Sequence, residues 1–108
     1  MDMPRSLGSP TTIFGDFEWD PIKEARNIRD RDLDFETASH IWDSGVTEKM
    51  DTRKDYGEVR ILAFGRANGR LMAVLFTWRG TRRRIISARK ANRREQRRFE
   101  AELDAGSL

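Results

Sequence analysis

The sequence predicts an α+β fold: an antiparallel β-sheet meander with two N-terminal helices and a C-terminal helix packed on it. Three observations carry that expectation. Apolar residues recur at helical spacing between Pro21 and Trp42, the period changes to two between Val46 and Ala88, and a helix-opening Asn92/Glu95 pair precedes Phe99 and Leu103. With 108 residues there is room for one domain. A chain of this size buries roughly 60 to 70% of the surface it exposes when unfolded, and only 37% of it is hydrophobic, so the core has to be small.

Residues 1–13 are rich in Ser, Pro, Thr and Gly with no apolar period, and they read as a flexible leader. That leaves residues 14–104 as a single domain and 105–108 as a flexible tail. Phe17 and Trp19 alternate with Glu18 as in a short half-buried strand. Asp20-Pro21 then supplies an N-cap and a first helical position. The first helix is predicted over 21–29, with Ile22, Ala25 and Ile28 inward and Lys23, Glu24 and Arg26 outward. A second short helix follows Asp34, carries Phe35, Ala38, Ile41 and Trp42 on one face, and stops at Gly45.

Val46 to Met50 reads as a weak strand, 51–58 as a polar loop around Tyr56-Gly57, and Val59 to Phe64 as a stronger strand. Asn68-Gly69 signals a tight turn into Leu71–Trp78, a largely buried central strand. Gly80 marks the next turn, and Arg82 to Ala88 alternates basic and apolar residues, with Ile85 and Ile86 facing opposite ways. Asn92 and Glu95 have capping-box spacing and open a helix anchored through Phe99 and Leu103.

Composition excludes several chemistries. With no Cys there is no disulfide, thiolate nucleophile or cysteine zinc site, and a single His rules out a histidine-rich metal centre or a two-histidine ribonuclease mechanism. Asp30, Asp32 and Asp34 alternate like a calcium loop, but Phe35 stands at the required glycine and Ile41 at the bidentate glutamate. Neither a phosphate-binding Walker loop nor a dinucleotide glycine pattern is present, so no metal and no cofactor are expected. His40 reads as an exposed helix residue, and Trp19, Trp42 and Trp78 as core anchors. No apolar run approaches the ~20 residues of a membrane span, and Met-Asp-Met-Pro-Arg lacks the pattern of a secretory signal, so a cytoplasmic protein without membrane contact is expected.

The net charge of +3 hides a division along the chain. Residues 1–58 hold 8 basic and 14 acidic groups, a balance of −6, and residues 59–108 hold 13 and 4, a balance of +9. Arg supplies 17 of the 21 basic residues, and its planar fork suits phosphate and carboxylate. An Arg-rich block from Arg82 to Arg98 is the footprint of a polyanion or an acidic protein partner, or else a solvated charged face.

Four groups of residues, in order and at matching distances over about 17–103, resemble the BrnT toxins of bacterial type II toxin–antitoxin systems, which are RelE-like ribonucleases. They are Phe17-Glu18-Trp19-Asp20 with Lys23 and Asn27; Phe35-Glu36 with Ala38; Asp55-Tyr56-Gly57-Glu58 with Gly65-Arg66; and Arg84-Ile85-Ile86-Ser87-Ala88-Arg89-Lys90-Ala91 with Arg93-Arg94-Glu95. The last run is the most specific. The resemblance implies a RelE-like fold and a metal-independent endoribonuclease that inhibits translation. It also implies a cognate antitoxin of the BrnA kind, a dimeric ribbon-helix-helix DNA-binding protein forming a heterotetramer with two toxins, so that DNA is reached only through the antitoxin.

In such an enzyme the ribose 2′-hydroxyl attacks the adjacent phosphorus. One group accepts the 2′ proton, others stabilise the phosphoryl oxygens, and another protonates the leaving 5′ oxygen. Arg66, Arg79, Arg84 and Arg89 are the candidates for the phosphate and its transition state, because arginine stays charged and offers several donors. For Arg66 and Arg79 the residue type alone fits a solvated turn equally well. Lys23, and similarly Lys90, are candidate proton acceptors or else surface lysines or antitoxin contacts, and Tyr56, Arg82, Lys90, Arg93 and Arg94 are candidate RNA contacts, Tyr56 reading also as a packing lid in its loop. Where the family commonly has Lys-His-Gly after the first helix, this chain has Asp30-Arg31-Asp32. Arg31 therefore holds the position of a possible catalytic His without its ability to exchange a proton near neutrality. The alternative reading is a catalytically weakened or noncatalytic member that binds RNA or an antitoxin.

Overall fold

The computed structural model describes residues 10–106. A hairpin of β1 (Thr12–Phe14) and β2 (Phe17–Trp19) leads into α1 (Pro21–Arg31) and α2 (Phe35–Ser39), the latter continued by a 3₁₀ turn at His40–Asp43. The meander follows as β3 (Val46–Met50), β4 (Ile61–Ala67), β5 (Arg70–Arg79) and β6 (Arg82–Lys90), and α3 (Arg93–Gly106) ends the described chain. The strands make one six-stranded sheet in the order β1-β2-β6-β5-β4-β3. All neighbours are antiparallel except β2 and β6, which run parallel with Glu18 beside Arg84 and Trp19 beside Ile85. The α+β expectation stands; β3 to β6 pair antiparallel in chain order, and the N-terminal hairpin adds two strands to their sheet.

Thr12 and Ile13, read as leader, pair with Trp19 and Glu18. A three-residue strand has no room for an alternating pattern and borrows its hydrogen bonds from β2. The last helix runs through Gly106, into the segment read as tail. The rest of the expected leader and tail, residues 1–9 and 107–108, lies outside the described residues.

Alternation along β5 builds two cores. Met72, Val74 and Phe76 join Trp19, Phe35, Ile41 and Ile85 under α2, whereas Leu71 and Ala73 join Phe64, Ala91 and Phe99 under α3. The 3₁₀ turn sits directly on β4 because Gly65 has no side chain; a Cβ there would lie 2.9 Å from Cβ of Ile41. Asn68 and Gly69 both take positive φ, 54° and 76°, as a two-residue hairpin turn requires. Leu75 pairs with Ser87 but Phe76 with Ile85, so Ile86 is the extra residue of a bulge. Hence Ile85 is buried and Ile86 only half-buried.

The first helix corrects the sequence reading. Ile22 and Ile28 are 60% and 44% exposed and Ala25 is exposed too, while Asn27 is buried and Glu24 half-buried. The reason is where β2 ends. Beyond Trp19 the edge of β6 has no strand partner, and α1 lies along it. A strand edge needs hydrogen bonds more than apolar cover. Asn27 supplies them: its Oδ1 accepts from the Ala88 N–H at 3.2 Å, and its Nδ2 donates to the carbonyls of Ala88 and Leu33 at 3.0 and 2.8 Å. Glu24 accepts from the Trp19 indole at 3.1 Å and from the Phe35 N–H at 3.0 Å, tying β2 to the start of α2.

Candidate functional site

Two adjoining hollows lie where α1, the β5–β6 hairpin and the loop before β4 meet, and they share Lys23 and the bulge residue Ile86. The first is lined by Arg60, Arg79 and Arg84 with Glu58, Asp20 and Thr77. The second is lined by Arg26, Asn27, Asp30, Arg31 and Ser87.

Sheet register positions the first hollow. Arg84 stands between Glu18 on β2 and Thr77 on β5. Its Nη1 donates to Glu18 Oε2 at 2.7 Å and to Thr11 Oγ1 at 3.2 Å, and both partners of the ion pair are largely buried, at 18% and 13% side-chain exposure. The Thr77 hydroxyl donates to the Val59 carbonyl at 2.7 Å, which stitches the end of the long loop to β5 and brings Glu58 to the hollow. There Glu58 Oε1 accepts from Arg79 Nη1 at 3.0 Å and Oε2 from Arg60 Nε at 3.2 Å. Burial pushes the Glu58 carboxyl up, but the hydrogen bonds from Arg79 and Arg60 outweigh it and hold the group below the usual glutamate range. Asp20 is committed to its cap, accepting from the Ile22 N–H at 2.8 Å.

In the second hollow Arg31 is exposed, and its Nη1 reaches Asn27 Oδ1 at 3.5 Å. The next residue, Asp32, closes the helix in the left-handed conformation, φ 58° and ψ 37°. The position where the resemblance expects glycine is thus left-handed and occupied by Asp.

Tyr56 sits beside the first hollow. Its ring packs under the Arg60 guanidinium at 4.1 Å, and its hydroxyl donates to Asp51 Oδ2 at 3.2 Å. Asp51 also takes two bonds from Arg53, at 2.8 and 3.0 Å. The Arg53 hydrogen bond outweighs the opposing effect of burial and draws the Asp51 carboxyl down to about 2.

The remaining candidates lie elsewhere. Arg89 grips Glu95 with two bonds of 2.8 and 2.9 Å, and Glu95 and Asn92 complete a reciprocal capping box at the start of α3. Arg66 pairs with Glu100 at 3.2 Å beside the Phe99 ring. Both therefore clamp α3 and line neither hollow. Lys90, Arg93 and Arg94 are exposed at the same end, and Arg82 is exposed at the β5–β6 turn, with its Nε 3.4 Å from the Gly15 carbonyl. Of the six catalytic candidates, the fold gathers Lys23, Arg31, Arg79 and Arg84.

Sequence reasoning missed Glu58 and Arg60, although Glu58 closes the Asp55-Tyr56-Gly57-Glu58 motif. It also missed Arg83, whose guanidinium lies 4.7 Å from the rings of both Trp42 and Trp78. Trp78 is 45% exposed and covers Arg83 rather than anchoring the core. His40 is exposed as expected and pairs with Asp43 at 2.8 Å. Among the described residues no group of three or more His, Cys, Asp or Glu side chains is arranged to hold a metal ion, and no helix is long and apolar enough to cross a membrane.

The arrangement presents four cationic side chains from four chain segments around one polar hollow, which suits a phosphate group. In comparison with known proteins, the family model for BrnT, a ribonuclease toxin of type II toxin–antitoxin systems, matches residues 19–95. The matched span contains both hollows and the Arg89–Glu95 clamp. No curated protein matches the chain.

Proposed function

The chain belongs to the BrnT family of ribonuclease toxins of type II toxin–antitoxin systems, and from that premise we propose that the paired hollows are a ribonuclease site working without a metal. The observation that carries the reading is the convergence of Lys23, Arg60, Arg79 and Arg84 on the first hollow. Arg79 and Arg84 would hold the scissile phosphate and the charge that grows on its oxygens as the 2′-hydroxyl attacks. Lys23, exposed at the junction of both hollows, would exchange a proton with the departing or attacking oxygen, and Arg31 would hold a neighbouring phosphate. Tyr56 and Arg82 flank this end of the sheet, and Lys90, Arg93 and Arg94 extend the basic surface toward α3. The antiparallel meander with helices on both faces supports a RelE-like reading of the fold.

A type II family implies an antitoxin. We take it to be a dimeric ribbon-helix-helix protein that neutralises two toxins in a heterotetramer and carries the only contact with DNA, the toxin itself acting on RNA in the cytoplasm to inhibit translation. Purified protein incubated with total RNA in EDTA should yield fragments ending in 2′,3′-cyclic phosphate. Arg84→Ala should lower the rate by about 10² to 10³, the range seen when one oxyanion donor is removed. Intact RNA at a large protein excess would refute the reading. The specific observation favouring a noncatalytic member is Arg31 in place of a titrating His; RNA binding without cleavage, and no growth arrest on induction, would decide for it.

A further inference from the structure

We propose that Glu58 is the proton acceptor of this site and takes the proton of the attacking 2′-hydroxyl; the assignment rests on the ribonuclease reading above. Two carboxylates line the first hollow, Asp20 and Glu58. Asp20 is used as the cap of α1. Glu58 instead meets one arginine at each oxygen, Arg79 at Oε1 and Arg60 at Oε2. A carboxylate oxygen has two lone-pair directions, so each keeps one open. The side chain is 26% exposed, enough for a ribose hydroxyl to reach that lone pair.

Three features fit a base rather than a buried structural acid. The Thr77–Val59 bond fixes the backbone beside it, so the carboxylate is oriented before substrate arrives. The charged groups around it are Arg60 on its own loop, Arg79 on β5, Arg84 on β6, Lys23 on α1 and Asp20 at the cap of α1, a largely cationic surround that keeps it ionised at neutral pH. Arg79, the stronger of its two holders, is also a phosphate ligand in the proposed complex. A docked phosphate competes for the Arg79 donors, loosens their hold on Glu58, and so raises its basicity when the 2′-hydroxyl is in place.

The step balances within the hollow. The 2′ proton passes to a Glu58 oxygen as the 2′-oxygen–phosphorus bond forms, and the phosphorus–5′-oxygen bond breaks with a proton from the Lys23 ammonium going to the leaving oxygen. The products are a 2′,3′-cyclic phosphate and a 5′-hydroxyl.

The test is Glu58→Gln in the full chain, assayed on a defined oligoribonucleotide containing one cut site. Glutamine keeps an oxygen for arginine to hold but lacks the basicity. We expect kcat to fall by about 10² to 10⁴, the range for a general base, with KM little changed and the acid limb of the wild-type pH–rate profile abolished over the pH range in which circular dichroism shows both chains folded. Glu58→Asp keeps a base at a slightly longer reach and should retain that limb and at least about tenfold more activity than Glu58→Gln. Equal rates for Asp and Gln, a loss confined to KM, or an acid limb that survives in Glu58→Gln would overturn the assignment while leaving the ribonuclease reading intact. A wild-type chain that cuts no RNA, or that cuts a substrate lacking the 2′-hydroxyl at the scissile position, overturns both.

Discussion

Replacing Asn27 by Ala should cost this fold about 3 to 5 kcal/mol, because the side chain does the work of a missing strand. Three bonds of 2.8, 3.0 and 3.2 Å disappear together. They leave the Ala88 N–H, the Ala88 carbonyl and the Leu33 carbonyl without partners in a buried place. An unsatisfied buried polar group costs roughly 1 to 3 kcal/mol, and water entering the space of the lost amide offsets part of the sum. Against a total stability of about 5 to 15 kcal/mol for a domain this is a severe loss, worth roughly 12 °C or more in melting temperature at about 4 °C per kcal/mol. Urea unfolding followed by tryptophan fluorescence gives the free energy, with Trp19 as a buried reporter; an unchanged m-value would show that the same surface still unfolds. Hydrogen exchange at the Ala88 amide gives the local effect. Asn27→Asp is the sharper control, since a carboxylate still accepts from Ala88 N–H but sets a negative charge against the two carbonyls that Nδ2 served. It should be at least as damaging as Ala at neutral pH and partly recover in acid. A loss below about 1 kcal/mol for Asn27→Ala, or unchanged protection at Ala88, would refute the account of Asn27 as the substitute for a strand.

Asp32→Gly should stabilise the protein by about 0.5 to 1 kcal/mol, since the left-handed terminus at φ 58° strains any residue with a Cβ and suits glycine; a lower melting temperature would count against it. Acid should unfold the protein through Asp51, Glu95 and Glu58. Asp51 titrates at about 2 because of Arg53, Glu95 is lowered by its hydrogen bond with Arg89, and Glu58 by Arg79 and Arg60 despite burial. Folded values below the unfolded ones mean that the unfolded chain takes up protons first as the pH falls. The melting temperature should therefore be flat above about pH 5 and decline from there toward pH 2. Asp51→Asn should flatten the decline, and a wild-type melting temperature constant from pH 5 to 3 would contradict the assignment.

Much of the fold was legible because its signals are local. Asp20-Pro21, Asn68-Gly69 and the Asn92/Glu95 box each fix an element end through atoms a few residues apart, and the structure has all three. What the sequence concealed is non-local. The spacing of Ile22, Ala25 and Ile28 describes a helix with an apolar stripe, yet which face turns inward depends on what lies beneath. Under α1 lies the unpaired edge of β6, 61 residues away from Asn27 in sequence. Only the parallel pairing of β2 with β6, and its early end at Trp19, makes an asparagine the buried residue. The hollow was half-legible for the same reason. Its arginines stood out by type, but Glu58, the carboxylate that holds Arg79 and Arg60, follows a segment stitched down by a hydrogen bond between Thr77 and Val59 that no spacing rule encodes.

The charge division along the chain also changes meaning in three dimensions. The −6 and +9 segments are partners in the fold. Glu18 and Glu58 from the acidic segment neutralise Arg84, Arg79 and Arg60 from the basic one. Arg66 and Arg89 are matched within the basic segment by Glu100 and Glu95. A phosphate entering the first hollow therefore exchanges with a carboxylate for each arginine it meets, instead of filling an empty cationic site. Such exchange lowers the gain per contact, and fewer counterions are released than the count of arginines suggests. For single-stranded RNA the slope of log affinity against log salt is about −0.7 per phosphate neutralised. The slope should thus report the exposed cations such as Lys23, Arg31, Lys90, Arg93 and Arg94 more than the paired ones, leaving Arg79 and Arg84 to be revealed by rate rather than by affinity. On the proposed ribonuclease reading that separation is what a site built for the transition state requires: contacts that already have partners in the free protein would add little to ground-state binding and would act where charge accumulates on the phosphorus.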